Sequence, residues 1–426
     1  MKTLVSALFF GALFSGYSQN YTSYPTGSST DLDTVGQGGI CLMGGASEDD
    51  NAMIWFLERA NQGDILVLRT SGSDGYNDYM FNQLGVTLNS VETIVCNNAN
   101  ASNDTYLLDK IKDAEAIWFA GGDQWNYISY WRDTPVDSLI NWGIQNKGLV
   151  VGGTSAGMAI QGDYYFSAEN GTVTSATALA NPYNSSVTVD NTPFIVHPIL
   201  ANTITDTHYD DPDRKGRHTT FLARMMTDDN VFFAQGIACD EYTAVCIDEN
   251  GIAKVFGGYP TYDDNAYFLR TNCGNMDTNP FPENCSDGSP LDWNRQESAL
   301  QVYKIQGTSD ANNHFNLNDW TDASGGEWQR WWVDNGTLNE GPSSQIDCGA
   351  NLTEQLASFT VYPNPASHLI QLEALEFEQA RIFKMNGQLV LSSNQKLIDI
   401  SSIESGMYLL QIKAQNEGKI VKLIVE

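Results

Sequence analysis

The residues best suited to chemistry lie in the segment GTSAG, residues 153–157, where Ser155 has a glycine two positions away on each side. An apolar strand-like run ends at Val151, and an apolar helix-like run begins at Met158. A serine at such a turn is held in a strained backbone conformation that leaves no room for side chains two positions away. Gly153 and Gly157 provide that room. The motif alone is weak because both residue types are common, but the strand-turn-helix context predicts a catalytic nucleophile at Ser155.

A serine hydroxyl needs an adjacent base, most often histidine, and the chain has five histidines. His368 and His314 lie late in the chain, in segments with a different composition. His197 follows an apolar run typical of a packed strand, and His218 lies in helix-like sequence. His208 ends a strand-like run that gives way to a charged loop, where the active-site groups of α/β proteins collect. We therefore predict that His208 is the base.

A carboxylate must orient the imidazole and balance its charge, and two glutamates qualify. Glu241 starts an apolar strand-like run, where burial is expected. Glu169 follows the serine in a short polar turn. Glu241 is favoured, and Glu169 stays open as the alternative acid.

The elements that must position these groups follow a repeating strand-helix pattern. Short apolar runs alternate with segments that carry apolar residues at helical spacing. The strand-like runs are residues 39–43, 64–68, 91–95, 116–119 and 148–151. This alternation predicts an α/β fold in which helices flank a parallel sheet, with functional loops at the carboxyl ends of the strands. From residue 357 onward, short strands separated by turn residues predict a small all-β sandwich.

Composition predicts the following division of the chain. The stretches are a signal peptide at 1–19, a linker at 20–37, a main domain at 38–347 with a loop-rich elaboration at 256–341, a second linker at 348–356, and the C-terminal sandwich at 357–426. After the leader no stretch is apolar over the ~20 residues needed to span a bilayer.

Charge and cysteine content exclude several classes of partner. The net charge of -30 and the pI near 4.2 argue against nucleic acid or an anionic membrane, because phosphates would be repelled. The seven cysteines show no paired CxxC spacing, which argues against a zinc site. In an oxidising compartment they allow disulfides, and Cys273 with Cys285, which flank a polar loop, is the best predicted pair.

Four blocks, in this order, resemble those of the cyanophycinase and peptidase E family. They are Trp118-Phe119-Ala120-Gly121-Gly122-Asp123-Gln124, Gly152 to Gly157, Asp206-Thr207-His208-Tyr209 with Arg214 and Arg217, and Asp240-Glu241-Tyr242-Thr243-Ala244. The likeness extends from about residue 38 to 256. It implies a sheet similar to that of class I glutamine amidotransferases and a triad of Ser155, His208 and Glu241.

The same resemblance implies further site residues. Backbone amides at Gly122 and Ala156 would form the oxyanion hole, and the substrate would be bound by the side chains of Gln124, Asp206, Arg214 and Arg217. Guanidinium groups suit a carboxylate such as that of aspartate. Neither a metal nor an organic cofactor is required. Thr207, Tyr209 and Pro212 depart from the cyanophycinase pattern, which puts specificity for the arginyl-aspartate polymer in doubt.

The C-terminal segment, residues 357–426, resembles the sorting domain of cargo for the type IX secretion system. The likeness rests on the sequence YPNP at 362–365, a turn at Asn386-Gly387, Gly406-Met407-Tyr408 and a lysine-containing last strand. It implies export across the outer membrane, with release or attachment at the cell surface.

Together these features predict a secreted serine-type peptidase that cleaves an amide next to an acidic, aspartyl residue through an acyl-enzyme on Ser155. An aspartyl di- or exopeptidase, an amidotransferase-like or esterase activity, and a non-catalytic surface binding protein stay open as alternatives. The expected partners are a peptide or cyanophycin-like substrate and the type IX machinery. A homodimer is also left open.

Overall fold

A computed structural model describes residues 19–272, 279–344, 359–374, 377–384, 388–414 and 417–426. The predicted signal peptide and Cys273 lie outside these ranges, apart from residue 19, so the leader and the Cys273–Cys285 pair stay predictions. Within these ranges, no helix combines the length and the apolar character needed to cross a membrane.

The region before residue 345 contains eighteen strands and eight α-helices in its described part. The strands are β1 Tyr21–Gly27, β2 Ile40–Met43, β3 Asp64–Arg69, β4 Ser90–Cys96, β5 Ala116–Phe119, β6 Val150–Thr154, β7 Tyr165–Phe166, β8 Val189–Asp190, β9 Thr203–Asp206, β10 Gln235–Cys239, β11 Ala244–Ile247, β12 Ile252–Phe256, β13 Asn265–Thr271, β14 Leu300–Gln306, β15 His314–Asn316, β16 Ala323–Ser324, β17 Gly326–Asp334 and β18 Thr337–Pro342. The helices are α1 Asp50–Glu58, α2 Gly75–Asp78, α3 Thr105–Asp113, α4 Gln124–Trp131, α5 Pro135–Asn146, α6 Ala156–Ala159, α7 Ser175–Ala180 and α8 Lys215–Asp229.

The first sheet has ten strands in the order β1-β4-β3-β5-β6-β2-β11-β12-β15-β16. Its five central strands, β4 to β2 in that order, pair in parallel, and all five predicted strand-like runs are found among them. Asp49 and Asp104 cap α1 and α3 by accepting hydrogen bonds from backbone amides in the first helical turn. The predicted α/β fold with a parallel sheet and flanking helices is confirmed.

The N-terminal segment differs from the linker predicted for residues 20–37, because residues 21–27 form β1. This strand pairs antiparallel with β4 at the edge of the first sheet. Tyr21 stacks on Tyr106, and Ser23 donates a hydrogen bond to Glu92. The tyrosine and threonine residues of this segment suit a half-buried edge strand, although the segment has little apolar content.

A second sheet has six strands in the order β18-β17-β14-β13-β10-β9. Four of them come from the region predicted as a loop-rich elaboration, whose polar residues form the connections between apolar strands such as β13 and β14. One apolar cluster contains residues from both sheets, including Leu42, Val245, Ile237 and Phe268. The sheets therefore pack against each other, which brings the ends of β9 and β10 near those of β2 and β6.

The C-terminal region forms two small sheets. Their strands are β19 Phe359–Tyr362, β20 Leu369–Ala374, β21 Phe377–Lys384, β22 Leu389–Ser393, β23 Leu397–Asp399, β24 Gly406–Ala414 and β25 Glu417–Val425. The sheet orders are β19-β20-β23 and β22-β21-β24-β25. Ile370 of one sheet and Ile382 and Leu410 of the other belong to one apolar core, which is the arrangement of a sandwich. The predicted all-β C-terminal sandwich is confirmed.

Candidate active site

Ser155 lies at the sharp turn between β6 and α6, with φ 53° and ψ -116°. A Cβ on Gly153 would lie 2.5 Å from the backbone of Gly157, and a Cβ on Gly157 would lie 2.0 Å from the carbonyl oxygen of Phe119. Neither distance is tolerable. The expectation that this turn requires small residues two positions on each side is confirmed, and the turn presents the hydroxyl at the carboxyl edge of the sheet.

His208 follows β9 and meets the serine across the junction of the two sheets. Its Nε2 lies 2.8 Å from Ser155 Oγ. The residue has φ +47°, and its backbone amide donates to the carbonyl of Gly44 at 2.8 Å. A Cβ on Gly45 would lie 2.4 Å from the imidazole ring, so glycine is needed for the ring to stand where it does.

Glu241 follows β10 and completes the chain of contacts. Its Oε1 lies 2.5 Å from His208 Nδ1, and both side chains are a little more than one-fifth exposed. A proton on Nδ1 that faces the carboxylate leaves Nε2 free to accept the serine proton, which is the tautomer that a general base needs. Glu169, the alternative acid, is exposed after β7, and its amide contacts Ser167 Oγ. The structure thus places Glu241, and not Glu169, against the imidazole.

The other histidines have different partners. His197 is buried beside Gln161, and burial lowers its pKa to about 3. His218 is buried against Tyr209, and burial lowers its pKa to about 4. Both rings are therefore neutral packing groups near neutral pH. His314, in β15, contacts Asp322 and Ser324, and His368 is exposed in the C-terminal sandwich.

The predicted oxyanion-hole residues lie on two adjacent strand ends. Gly122 follows β5, and Ala156 is the first residue of α6, directly after the serine. A Cβ on the neighbouring Gly121 would lie 3.6 Å from Ser155 Cβ, so this glycine pair is close to the nucleophile. The assignment of these two amides to an oxyanion hole stays a prediction.

Asp206 and Arg217 were predicted to bind substrate, but the structure pairs them with each other. Both are buried, at 2 % and 3 % exposure. Arg217 Nε donates to Asp206 Oδ2 at 2.9 Å and Nη2 to Oδ1 at 2.5 Å, while Nη1 reaches Thr172. Burial alone would raise the pKa of Asp206, but the guanidinium outweighs it and the pKa is lowered. The pair fits a role in holding the strand end before His208 better than direct contact with substrate.

Arg214 and Gln124 lie closer to the solvent side of the site. Arg214 is partly exposed, and its Nη1 donates to the carbonyl of Thr207 at 3.0 Å. Burial and the charge of Arg217 lower its pKa, whereas Glu241 is one of the carboxylates that oppose this shift. Gln124 begins α4, and its amide lies 3.5 Å from the carbonyl of Phe166.

Two features that support the site were not singled out from the sequence. Gly44 and Gly45 follow β2, and their carbonyls accept the amides of His208 and Tyr242. A glycine pair at the end of a parallel strand is a signal that could have identified them. Asp240 is buried beside Glu241 and accepts hydrogen bonds from Asn265, and burial raises its pKa to about 7. Nothing in the sequence distinguishes Asp240 from a surface aspartate. Within the described ranges, no group of three or more histidine, cysteine, aspartate or glutamate residues is placed to hold a metal ion.

Two parts of the chain match known families, and together the matches support a peptidase with a secretion sorting tail. Residues 76–255 match the model of peptidase family S51, and residues 360–426 match that of a secretion system C-terminal sorting domain. The match to peptidase family S51, a family that includes peptidase E and cyanophycinase, supports a serine-type peptidase. The sorting domain supports type IX secretion to the cell surface or the extracellular space.

Two solved structures are similar over about half of the chain. A peptidase from an acI-B1 actinobacterium is 15% identical, with a TM-score of 0.41 over 55% of this chain and 90% of the other. A candidate peptidase E protein from Listeria monocytogenes EGD-e is 15% identical, with a TM-score of 0.34 over 52% of this chain and 98% of the other. With such low sequence identities and TM-scores, neither structure carries information about the activity of this chain. No curated protein matches the chain significantly.

Proposed function

We propose that this secreted peptidase cleaves an amide bond next to an aspartyl residue through an acyl-enzyme on Ser155. The observation that carries the proposal is the continuous chain from Ser155 Oγ to His208 Nε2, at 2.8 Å, and from His208 Nδ1 to Glu241 Oε1, at 2.5 Å. Both contacts are within the reach that proton transfer and ring orientation require.

The reaction follows from these contacts. His208 takes the hydroxyl proton through Nε2 as Ser155 Oγ attacks the carbonyl carbon, and Glu241 stabilises the imidazolium that forms. The negative oxygen of the tetrahedral intermediate is bound by amides at Gly122 and Ala156. The imidazolium then donates its proton to the leaving amine. Water attacks the acyl-enzyme with His208 again as base, which releases the acid and restores the serine.

Arg214 supports an acidic residue as the preferred neighbour of the cleaved bond. Its side chain is partly exposed, and Nη1 donates a hydrogen bond to the Thr207 carbonyl. The negative charge of Glu241 is close enough to oppose the lowering of the pKa of Arg214. A guanidinium in this position can pair with a substrate carboxylate through its other nitrogens. Because Arg217 is committed to Asp206, we assign acidic specificity to Arg214 rather than to both arginines.

The test compares two glutamates that the sequence left as alternatives. Glu241→Gln would place an amide against Nδ1 and favour the tautomer with its proton on Nε2, which cannot accept the serine proton; kcat is expected to fall by about 10⁴-fold. Glu169→Gln is the matched control and is expected to keep activity. Ser155→Ala should abolish turnover and labelling by a fluorophosphonate.

Substrate class is tested with aspartyl dipeptides, β-aspartyl-arginine and cyanophycin, each measured by release of product. Arg214→Ala is expected to raise KM for the acidic substrates by about 10- to 100-fold, because a charge-assisted pair is lost.

Equal loss of activity in the Glu241→Gln and Glu169→Gln variants would contradict the assignment of Glu241 as the catalytic acid. Absence of labelling at Ser155 in folded wild-type protein would instead favour a non-catalytic binding protein.

A further inference from the structure

Cys41 and Cys246 face each other across adjacent strands behind the active site. They are register partners in the antiparallel pair of β2 and β11. Both are fully buried, and their sulfur atoms lie 3.7 Å apart. Both belong to the same apolar cluster beneath the sheet.

The pairing pattern makes this position suitable for a covalent link. The amide of Gly44 donates to the carbonyl of Thr243, its register partner, so that pair is hydrogen-bonded. Hydrogen-bonded and non-hydrogen-bonded pairs alternate along an antiparallel ladder. Three positions away, Cys41 and Cys246 therefore form a non-hydrogen-bonded pair, in which Cα atoms are about 4.5 Å apart and side chains are closest. Such a separation falls within the range that disulfides span.

The neighbouring cysteine does not compete for either partner. Cys239 contacts the carbonyl of Leu42 and belongs to the cluster on the opposite face of the sheet. Because side chains alternate between faces along a strand, Cys239 cannot reach Cys41 without a change of register.

We propose that Cys41 and Cys246 form a disulfide in the exported protein. A disulfide-containing oxidant, such as a thiol-disulfide oxidoreductase or oxidised glutathione, supplies the reaction. One thiolate attacks the oxidant and releases a thiol, and the second thiolate then displaces the other half of the oxidant from the mixed disulfide. Two electrons pass to the oxidant, and its disulfide becomes two thiols. Type IX secretion takes the protein to an oxidising location, where such bonds persist.

Oxidation must precede complete burial. Both side chains are fully buried in the closed fold, where an oxidant cannot reach them, and burial also raises the pKa of the Cys246 thiol. The bond therefore forms while β11 is docking on β2.

The link would fasten the two strands whose ends support the catalytic groups. The carbonyl of Met43, at the end of β2, accepts the Ser155 amide at 3.1 Å, and that of Gly44 accepts the His208 amide. The amide of Tyr242, in the turn before β11, donates to Gly45. A bond between strands joins residues 205 positions apart and restrains all three triad residues through these backbone contacts.

Mass spectrometry of the full-length exported protein tests the bond directly. Free thiols are blocked with iodoacetamide under denaturing conditions, and the protein is digested without reduction. Trypsin alone leaves Cys239 and Cys246 in one peptide, because no lysine or arginine lies between Arg224 and Lys254, so a glutamate-specific protease is added to cut after Glu241. We expect a cross-linked pair of peptides that contain Cys41 and Cys246. Alkylation of both cysteines in most of the protein overturns the proposal.

Stability in reductant provides the second readout. All proteins carry Cys285→Ala, which removes the other predicted bond. In the protein with only this substitution, reductant is expected to lower Tm by about 5 °C. Adding Cys41→Ala and Cys246→Ala should abolish this fall, whereas adding Cys239→Ala, the matched control, should leave it unchanged. Comparing each protein with and without reductant cancels the cost of the cavities. A fall in Tm that persists in the Cys41 and Cys246 variant contradicts the link. Neither the mass-spectrometric measurement nor the Tm comparison depends on catalysis by Ser155. The disulfide and the proposed peptidase activity can therefore be refuted independently of each other.

Discussion

Replacing Asp240 with asparagine is expected to remove a titration that makes the stability of this fold depend on pH. The carboxyl group is 2 % exposed. Its Oδ2 accepts two hydrogen bonds from Asn265, whereas its Oδ1 has no hydrogen-bond partner in the described part of the chain. Burial, reinforced by the charge of Asp210, raises its pKa from 3.8 to about 7, although Asn265 and Lys304 oppose the shift.

The shift converts into a change in the free energy of unfolding. One pKa unit corresponds to 1.36 kcal/mol, so a shift from 3.8 to about 7 corresponds to about 4 kcal/mol. The folded protein holds this proton more tightly than the unfolded chain does. The stabilisation is therefore complete below about pH 4 and is lost as the pH rises through about 7. Asparagine has the shape of the protonated acid and no proton to lose, so the variant should gain stability relative to wild type over this range.

Two buried histidines act in the opposite direction, and the assay must separate them from Asp240. Burial lowers the pKa values of His197 and His218 to about 3 and 4. Their stabilisation is complete above about pH 6.5 and is lost as the pH falls toward those values. Both proteins contain these histidines, so the difference between Asp240→Asn and wild type isolates the aspartate.

The measurement is urea unfolding of both proteins at several pH values between about 4 and 8. Asp109→Asn, on the exposed side of α3, is the control, because it makes the same substitution without removing a buried carboxyl group. A change of less than about 1 kcal/mol in the Asp240→Asn difference across this range would show that the carboxyl group is ionised in the folded protein, and would refute the reasoning.

Two further substitutions test the turn and the buried ion pair. Gly157→Ala forces a methyl group to within 2.0 Å of the Phe119 carbonyl and is expected to cost about 1–3 kcal/mol and most of the activity, whereas Gly75→Ala, where nothing lies within 4 Å, should be tolerated in the same thermal melts and assays. Arg217→Ala leaves the Asp206 carboxylate buried and unpaired and is expected to destabilise the protein by about 3–5 kcal/mol in urea unfolding. An unfolding curve like that of wild type, together with a raised KM for the Arg217→Ala variant, would instead indicate that Arg217 binds substrate.

Local sequence was sufficient to predict the five parallel strands of the first sheet and the residues that come together at its edge. The five parallel strands were visible because each is a short apolar run between helical segments, and buried parallel strands have that composition. Ser155 was visible because a strained turn imposes glycine at fixed offsets, a constraint that acts within five residues. His208 could be selected because it ends a strand-like run, which is where a parallel arrangement exposes side chains. Glu241 could be selected because it starts an apolar strand-like run, where burial is expected.

The pairing of strands into a second sheet was not predicted, because these strands are separated by long polar connections. β13 pairs with β14 across residues 272–299, and polar residues outnumber apolar ones in that interval. The composition of the interval is that of a loop. The segments on either side become the strands β13 and β14 only through pairing with residues distant in sequence, which local composition does not reveal. The same limit applies to β1, whose partner β4 lies more than sixty residues further along the chain.

The contrast between Arg214 and Arg217 shows where sequence reasoning about charged residues stops. Both arginines follow β9 within a few positions of the base, and either could bind a carboxylate. What separates them is solvent exposure, because a buried guanidinium must be paired with a nearby acid, whereas a partly exposed one can be left for substrate. α8 begins at Lys215, so Arg217 lies within its first turn and faces inward toward Asp206, while Arg214 precedes the helix and stays at the surface. The start of the helix, more than the arginine itself, therefore decides which of the two side chains stays accessible to solvent.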